Sequence, residues 1–209
     1  MKVEYIEEIF KKLMDEFLSF CDFLETGSRG DFNVFLDKYC TTYADYGDIK
    51  INSGATKGVI IVRNDFVIKL PFNDDYDIDY ISLEYNNYMA AVANGVQDFF
   101  SPCEVIDFKI DYNDIYYKSK ILIMDYAFVD VDINNNYISQ SNLSDNDEYD
   151  NDQLDIIRIF SNYYDDDVII SLLEFIKDYE IDDFHSSNIG RLDDYTPILI
   201  DYSGYMGEW

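Results

Sequence analysis

Three residues in the last thirty positions carry donor atoms suited to a hard cation. In EIDDFHSSNIGRLDDYTPILIDYSGYMGEW, Asp183 and Asn188 stand five apart just after a helix, and Asp201 follows the apolar strand PILI inside a short hairpin turning at RLDDYT. Two carboxylates and an amide oxygen suit Mg2+, which usually completes its shell with water and phosphate. Upstream, Lys69 sits in an apolar strand and Glu84 in the helix that follows. If they pair, the lysine ammonium is held where it can reach phosphate oxygens. The chemistry these residue types permit is the handling of a magnesium polyphosphate. Each residue alone has a simpler reading: a snorkelling lysine, a solvated helix glutamate, a loop asparagine bonded to nearby backbone, an aspartate that ends a strand.

The elements that must position these groups can be read from periodicity. Residues 4–24 place Ile6, Phe10, Leu13, Phe17, Leu18, Cys21 and Leu24 at three- and four-residue steps, which predicts an amphipathic helix. TGSRGD breaks it, and Asp31 is set to cap a second helix over FNVFLDKYCTTY. From Asp48 the pattern changes to strands: DIKIN, VIIVRN and FVIKLPF, with turns at SGATKG and at Asn64 and Asp65. A helix over 79–96 follows, with Ile81, Tyr85, Tyr88, Met89 and Val92 on one face and Gly95 placed to end it. Two more strands, SPCEVIDFKI and YYKSKILIMDY, joined by DYND, complete a five-stranded antiparallel sheet with one inserted helix. Residues 130–153, rich in Asn, Asp and Ser, read as a long acidic loop, and LDIIRIFSNYY and DDDVIISLLEFIKDYEI as helices. The expected organisation is an N-terminal helical extension (1–45), a sheet-bearing lobe (46–129), the loop (130–153) and a helical lobe (154–209).

Composition narrows the class. A hydrophobic fraction of 48% with 17% aromatic residues is enough for a packed core. Cys21, Cys40 and Cys103 have no metal-ligand spacing, and with a single histidine a histidine-rich metal centre is excluded. They read as reduced, buried thiols. No stretch is apolar enough to span a bilayer and the start has no signal-type core, so a cytoplasmic protein is expected. The formal net charge of −28 opposes direct binding to nucleic acid or anionic lipid and favours basic partners.

Taken in order, these segments resemble the protein kinase-like superfamily, which includes the aminoglycoside and choline phosphotransferases, from about residue 48 to 204. The resemblance implies an α+β, two-lobe fold: a five-stranded antiparallel N-lobe sheet, an inserted helix, extra N-terminal helices and a reduced helical C-lobe. SGATKG stands where the phosphate loop would be, assigning Ser53, Gly54, Ala55, Thr56 and Gly58 to the cofactor, with Lys57 beside them. ILIMDYA resembles the hinge that receives adenine, assigning Met124, Asp125 and Tyr126. DFHSSN resembles the catalytic loop of the aminoglycoside branch, with Asp183 as base, His185 as a loop-stabilising residue and Asn188 as a metal ligand. IDYSG resembles the metal-binding Asp-Phe-Gly segment, with Asp201 the second ligand; Lys69 and Glu84 complete the catalytic set.

The cofactors so implied are ATP and Mg2+, and the activity is Mg-dependent phosphate transfer to a basic protein or a cationic small molecule. Small phage-encoded kinases carry similar segments, which would put the protein in a host cytoplasm. Only eight residues (209 − 201) follow Asp201, which leaves no visible acceptor lobe. The alternative is therefore an acidic, nucleic-acid-mimicking inhibitor or pseudokinase that binds a basic host-defence protein without catalysis.

Overall fold

Alternating apolar residues on the strands leave two oily faces to cover, and the chain covers both. The computed structural model describes residues 2–23, 32, 34–36, 44–45, 49–53, 57–71, 79–145, 149–182, 184–192 and 195–203. Within them a sheet is built from β1 (Ala44–Asp45), β2 (Ile49–Ser53), β3 (Lys57–Val62), β4 (Phe66–Pro71), β5 (Cys103–Tyr112) and β6 (Ile115–Asp125). Its order is β1-β2-β3-β4-β6-β5, and every pairing is antiparallel. The five expected strands are present, and the two-residue β1 adds a sixth at the edge.

Tight turns set the register. Asn113 and Asp114 join β5 to β6 with φ of 51° and 63°, the left-handed pair that a two-residue hairpin with native twist demands and that Asn and Asp tolerate. Arg63 and Asn64 turn β3 into β4 with φ of 53° and 54°. Val62 is thereby paired with Phe66, so Val59 lies opposite Lys69. With a side-chain period of two, Ile60, Val62, Phe66, Ile68, Leu70, Ile121 and Ile123 point to one face and Val59, Ile61, Val67, Leu122 and Met124 to the other. Lys57 and Lys69 have the parity of the second, inner face.

The outer face is covered by α1 (Lys2–Phe23), whose Ile6, Ile9, Phe10, Leu13, Met14 and Phe17 are buried at helical spacing. Phe10 sits with its ring centroid 4.5 Å from Phe108 and 5.0 Å from Tyr117. Phe32 and residues 34–36 are helical, and Phe32, Phe35 and Leu36 join this core, Phe32 lying 5.5 Å from Phe17. Asp31, Leu24, Cys40 and the remainder of the second expected helix lie outside the described residues, as does the side chain of Cys21.

The inner face meets α2 (Tyr80–Asn94). Asp79 caps it, accepting from the Ser82 backbone N–H at 2.9 Å and the Ser82 hydroxyl at 2.7 Å. Gly95 ends it as expected, at φ 74°, with its N–H bonded back to Val92. The buried face differs from the one predicted. Met89 and Val92 are exposed, while Tyr80, Ile81, Glu84, Asn87 and Ala91 are buried. Charge and amide groups occupy the face because partners meet them there, Lys57 and Lys69 for Glu84 and the Tyr202 carbonyl for Asn87.

Beyond Asp125, the chain forms α3 (Val131–Asn135), α4 (Asn151–Phe160) and α5 (Asp166–Asp178), then the hairpin β7 (Ile189–Arg191) and β8 (Pro197–Leu199). A reciprocal capping box between Asp150 and Gln153 starts α4. Asp166 and Asp167 lie in the first turn of α5, favourably placed on its dipole. Ile156, Ile157, Ile159 and Phe160 of α4 and Ile169, Leu172, Phe175 and Ile176 of α5 build a second core continuous with the inner face of the sheet. The segment read as a long loop is thus structured in part. Asp130 accepts from the Ile133 N–H at 2.9 Å to start α3, and Asn142–Asp145 forms a 3-10 turn. Polar composition hid this helix because its one fully buried side chain, Asn134, is itself polar.

Candidate functional site

Four charged side chains converge beneath the inner face of the sheet. Lys57 opens β3 and Lys69 lies inside β4; their ammonium groups close on Glu84 of α2 from two sides. Lys69 Nζ donates to Glu84 Oε1 at 2.5 Å and to the Ile200 carbonyl at 2.6 Å. Lys57 Nζ donates to Glu84 Oε2, Asp201 Oδ1 and Ser203 Oγ at 2.8, 2.8 and 2.6 Å. Lys69 lies 4.0 Å from Asp201 Oδ1. Glu84 is fully buried and both lysines nearly so, whereas the Asp201 side chain keeps 32% of its exposure. Two cations and two anions balance, which is the condition for burying charge at tolerable cost.

The fields inside this cluster are strong. Burial pulls the Lys57 ammonium toward neutrality, but the Glu84 and Asp201 carboxylates outweigh it and hold Lys57 charged to well above the ordinary lysine value. Burial acts on Asp201 in the opposite sense and also loses, to Lys69, Lys57 and the Lys57 and Ser203 hydrogen bonds, so Asp201 stays ionised far below the usual carboxylate range.

Neighbouring backbone is clamped around the cluster. Asn87, one turn beyond Glu84, donates to the Tyr202 carbonyl at 2.8 Å. The Tyr202 ring is fully buried 5.2 Å from Phe100, edge to face, and its hydroxyl donates to the Ser101 carbonyl at 2.8 Å. Burial, with Glu84 close by, raises the Tyr202 phenol well above its ordinary value. Cys103 Sγ lies 3.2 Å from the same hydroxyl, and burial pushes this free thiol up to about 11, which disfavours the reactive thiolate.

The β7–β8 hairpin carries the other candidate ligand. Asn188 closes a 3-10 turn, Ser186–Asn188, and its carbonyl accepts from Ile200 N–H at 3.0 Å, so Asn188 and Asp201 lie one register step apart across the hairpin. His185 caps this turn: Nδ1 accepts from the Ser187 N–H at 3.3 Å and lies 2.5 Å from the Ser187 hydroxyl. The Asn188 amide nitrogen lies 3.4 Å from His185 Nε2. The geometry makes His185 an organiser of the turn.

Asn134 fastens the same turn from below. Its amide donates to the Ser186 and Ile189 carbonyls at 2.7 and 2.8 Å, and its Oδ1 accepts from Arg191 Nη2 at 2.7 Å. At the start of α4, Asp152 faces the Phe184 N–H and His185; burial and Asp150 raise its carboxyl, against the pull of those two groups.

The structure therefore brings Lys69, Glu84 and Asp201 together, places the Asn188 backbone opposite Ile200 in the hairpin that leads to Asp201, and adds Lys57 and Ser203. Lys57 was expected to lean toward a phosphate loop, but all three of its donors are spent on Glu84, Asp201 and Ser203. Its involvement was recoverable from the sequence: a turn at 63–65 pairs Val62 with Phe66 and puts Lys57 on the face of Lys69. Asn87 had a signal too, since it follows Glu84 by one helical turn, while nothing local marked Asn134. Asp183, Gly54, Ala55 and Thr56 lie outside the described residues, as does the side chain of Ser53. Gly58 is buried opposite Leu70.

The three hinge residues separate. Met124 is buried in the inner core, Asp125 is exposed with its N–H bonded to Pro102, and Tyr126 lines a cleft of about 680 Å3 with Asn64, Asp65, Phe128, Arg191, Leu192 and Tyr195. None of the four clustered charges is among its lining residues.

Among the described residues no group of three or more His, Cys, Asp and Glu side chains is placed to hold a metal. The donor set available, Asp201 with Asn188, consists of hard oxygens and fits a cation that takes most of its shell from water and phosphate. No described helix is long and apolar enough to cross a membrane. No family model matches the chain, and no curated protein matches it.

Proposed function

We propose that this chain is a kinase-like, two-lobe protein that binds ATP with Mg2+ beneath its sheet. The observation that carries this reading is the buried Lys69–Glu84 pair, 2.5 Å long, with Asp201 Oδ1 4.0 Å from the same ammonium. Glu84 and the Ile200 carbonyl orient Lys69 toward the polyphosphate, Asp201 and Asn188 hold the cation, and Asn87 and Asn134 fix the backbone that carries those ligands. Mg2+ supplies charge neutralisation of the phosphates. Asp183 orients and deprotonates the acceptor hydroxyl, and the net charge of −28 supports a basic protein or cationic small molecule as acceptor.

A second reading has one observation in its favour. Asp201 is ion-paired to Lys57 at 2.8 Å, which suits a pseudokinase that holds nucleotide without transfer and engages a basic partner, such as a host-defence protein, through its acidic surface.

Isothermal titration with Mg-ATP separates both readings from neither. Saturable binding that weakens at least tenfold in Lys69→Met and Asp201→Asn supports the nucleotide site, and absence of heat in the natural chain refutes it. Incubation with radiolabelled ATP in a host lysate, natural chain against Asp183→Ala, then decides transfer: a labelled product lost in the variant supports the enzyme, and binding without any labelled product supports the pseudokinase.

A further inference from the structure

We propose that Lys57 is a resident cation of this site: its ammonium bonds Asp201 Oδ1, so that a divalent cation taking that oxygen binds by exchange with Lys57. The inference rests on the reading of Asp201 as a metal ligand given above.

An ammonium has three donors, and Lys57 places all three, on Glu84 Oε2, Asp201 Oδ1 and Ser203 Oγ. Asp201 Oδ1 also accepts from the Ser203 hydroxyl at 3.2 Å, so two hydrogens already occupy its lone pairs. A metal bonded to that oxygen must displace at least one of them. With both ammoniums in place the four-charge cluster is neutral, and a bare dication arriving at Asp201 would find Lys57 at 2.8 Å and Lys69 at 4.0 Å from the same oxygen. Like charges at such range are strongly unfavourable in a partly buried site.

Displacement is feasible because of where Lys57 sits. It is the first residue of β3, directly after the 54–56 segment, and its ammonium rides on a flexible four-carbon stem. Phosphate oxygens brought in with the metal offer that ammonium anionic acceptors in exchange for Asp201, whereas water offers only neutral ones. Metal and nucleotide therefore bind as a unit: the dication alone is resisted by Lys57, and the nucleotide relieves the resistance. Lys57 is in this sense a positioning residue that couples occupancy of the phosphate side to release of Asp201.

Manganese titration followed by electron paramagnetic resonance tests this without any measure of turnover. Mn2+ alone should bind the natural chain weakly and Lys57→Met at least tenfold more tightly, and a non-hydrolysable ATP analogue should tighten Mn2+ binding far more in the natural chain than in the variant. Because Lys57→Met removes a buried counter-ion, Ser203→Ala serves as the second variant: it keeps every charge, removes one of the ammonium's three acceptors, and should shift Mn2+ affinity the same way by a smaller factor. Equal or weaker Mn2+ binding in both variants overturns the exchange while leaving the metal site standing, provided Asp201→Asn abolishes binding. Mn2+ bound by no form, with or without the analogue, overturns the metal reading of Asp201 and this inference with it.

Discussion

Lys57 Nζ meets Asp201 Oδ1 at 2.8 Å across 144 residues of chain. The bond ties the first residue of β3 to the segment that follows β8, and the same ammonium also bonds Glu84, the carboxylate that both lysines share. The stability and chemistry of the site are consequently one problem.

Glu84 is the member whose loss should cost most. It is fully buried and holds two ammoniums, so Glu84→Gln leaves Lys57 and Lys69 with Asp201 as their remaining carboxylate partner. Breaking a buried pair from one side typically costs about 3–5 kcal/mol. Urea unfolding should show a midpoint lowered accordingly at unchanged slope; a midpoint within error of the natural chain would contradict the geometry.

The pH dependence has a definite sign at each end. The folded Lys57 value lies above its ordinary 10.5, so its contribution is complete below that pH and is lost as pH rises through the raised folded value. The folded Asp201 value lies below its ordinary 3.8, so its contribution is complete above that pH and is lost as pH falls through the depressed folded value. Chemical unfolding across pH should therefore give a stability gap between the natural chain and Lys57→Met that narrows as pH rises on the alkaline side. The gap to Asp201→Asn should narrow as pH falls on the acid side.

Asn134→Ala should loosen the turn that carries Asn188. The variant strands the Ser186 and Ile189 carbonyls and one Arg191 nitrogen, and each buried unsatisfied group costs about 1–3 kcal/mol. A melting temperature lowered by several degrees, together with faster amide exchange at Ile189 and Ile200, is expected. Rescue by Asn134→Asp is not, because a carboxylate cannot donate to the two carbonyls.

Gly190→Ala tests how closely the hairpin is packed. An added Cβ would stand 2.6 Å from Ala127 Cβ and 2.8 Å from Ile200 Cγ2, contacts that real structures do not show. Overpacking of this kind costs about 1–3 kcal/mol. Since Ile200 supplies the carbonyl that Lys69 bonds, Mg-ATP affinity should fall along with stability. A variant as stable as the natural chain would mean the hairpin yields.

Much of the architecture was legible because it is written in local periodicity. The steps of Ile6, Phe10, Leu13 and Phe17 mark one face of a helix, alternation marks β3 to β6, and Asp79 and Gly95 punctuate α2 with the chemistry that caps require. Lys69, Glu84 and Asp201 stood out for the same reason: each charge interrupts, or directly follows, an apolar run. What periodicity misses is a polar group buried for a distant partner. Asn134 lies in a stretch that reads as loop, and the face of α2 was misplaced because Glu84 and Asn87 are buried where Met89 and Val92 were expected.

By itself, then, the sequence determined most of the elements, though not α3 or β1, together with the antiparallel succession of β2 to β6 and the residue types capable of holding phosphate and a hard cation, since those depend on neighbours a few positions away. Only the tertiary structure decided which charges meet. The hairpin register placed Lys57 on the same sheet face as Lys69, the packing of α2 put Glu84 between them, and the β7–β8 hairpin delivered Asp201 to Lys57. Charges in water interact weakly and need no specific partner; once buried, each must find one, and that requirement is satisfied only by the fold as a whole.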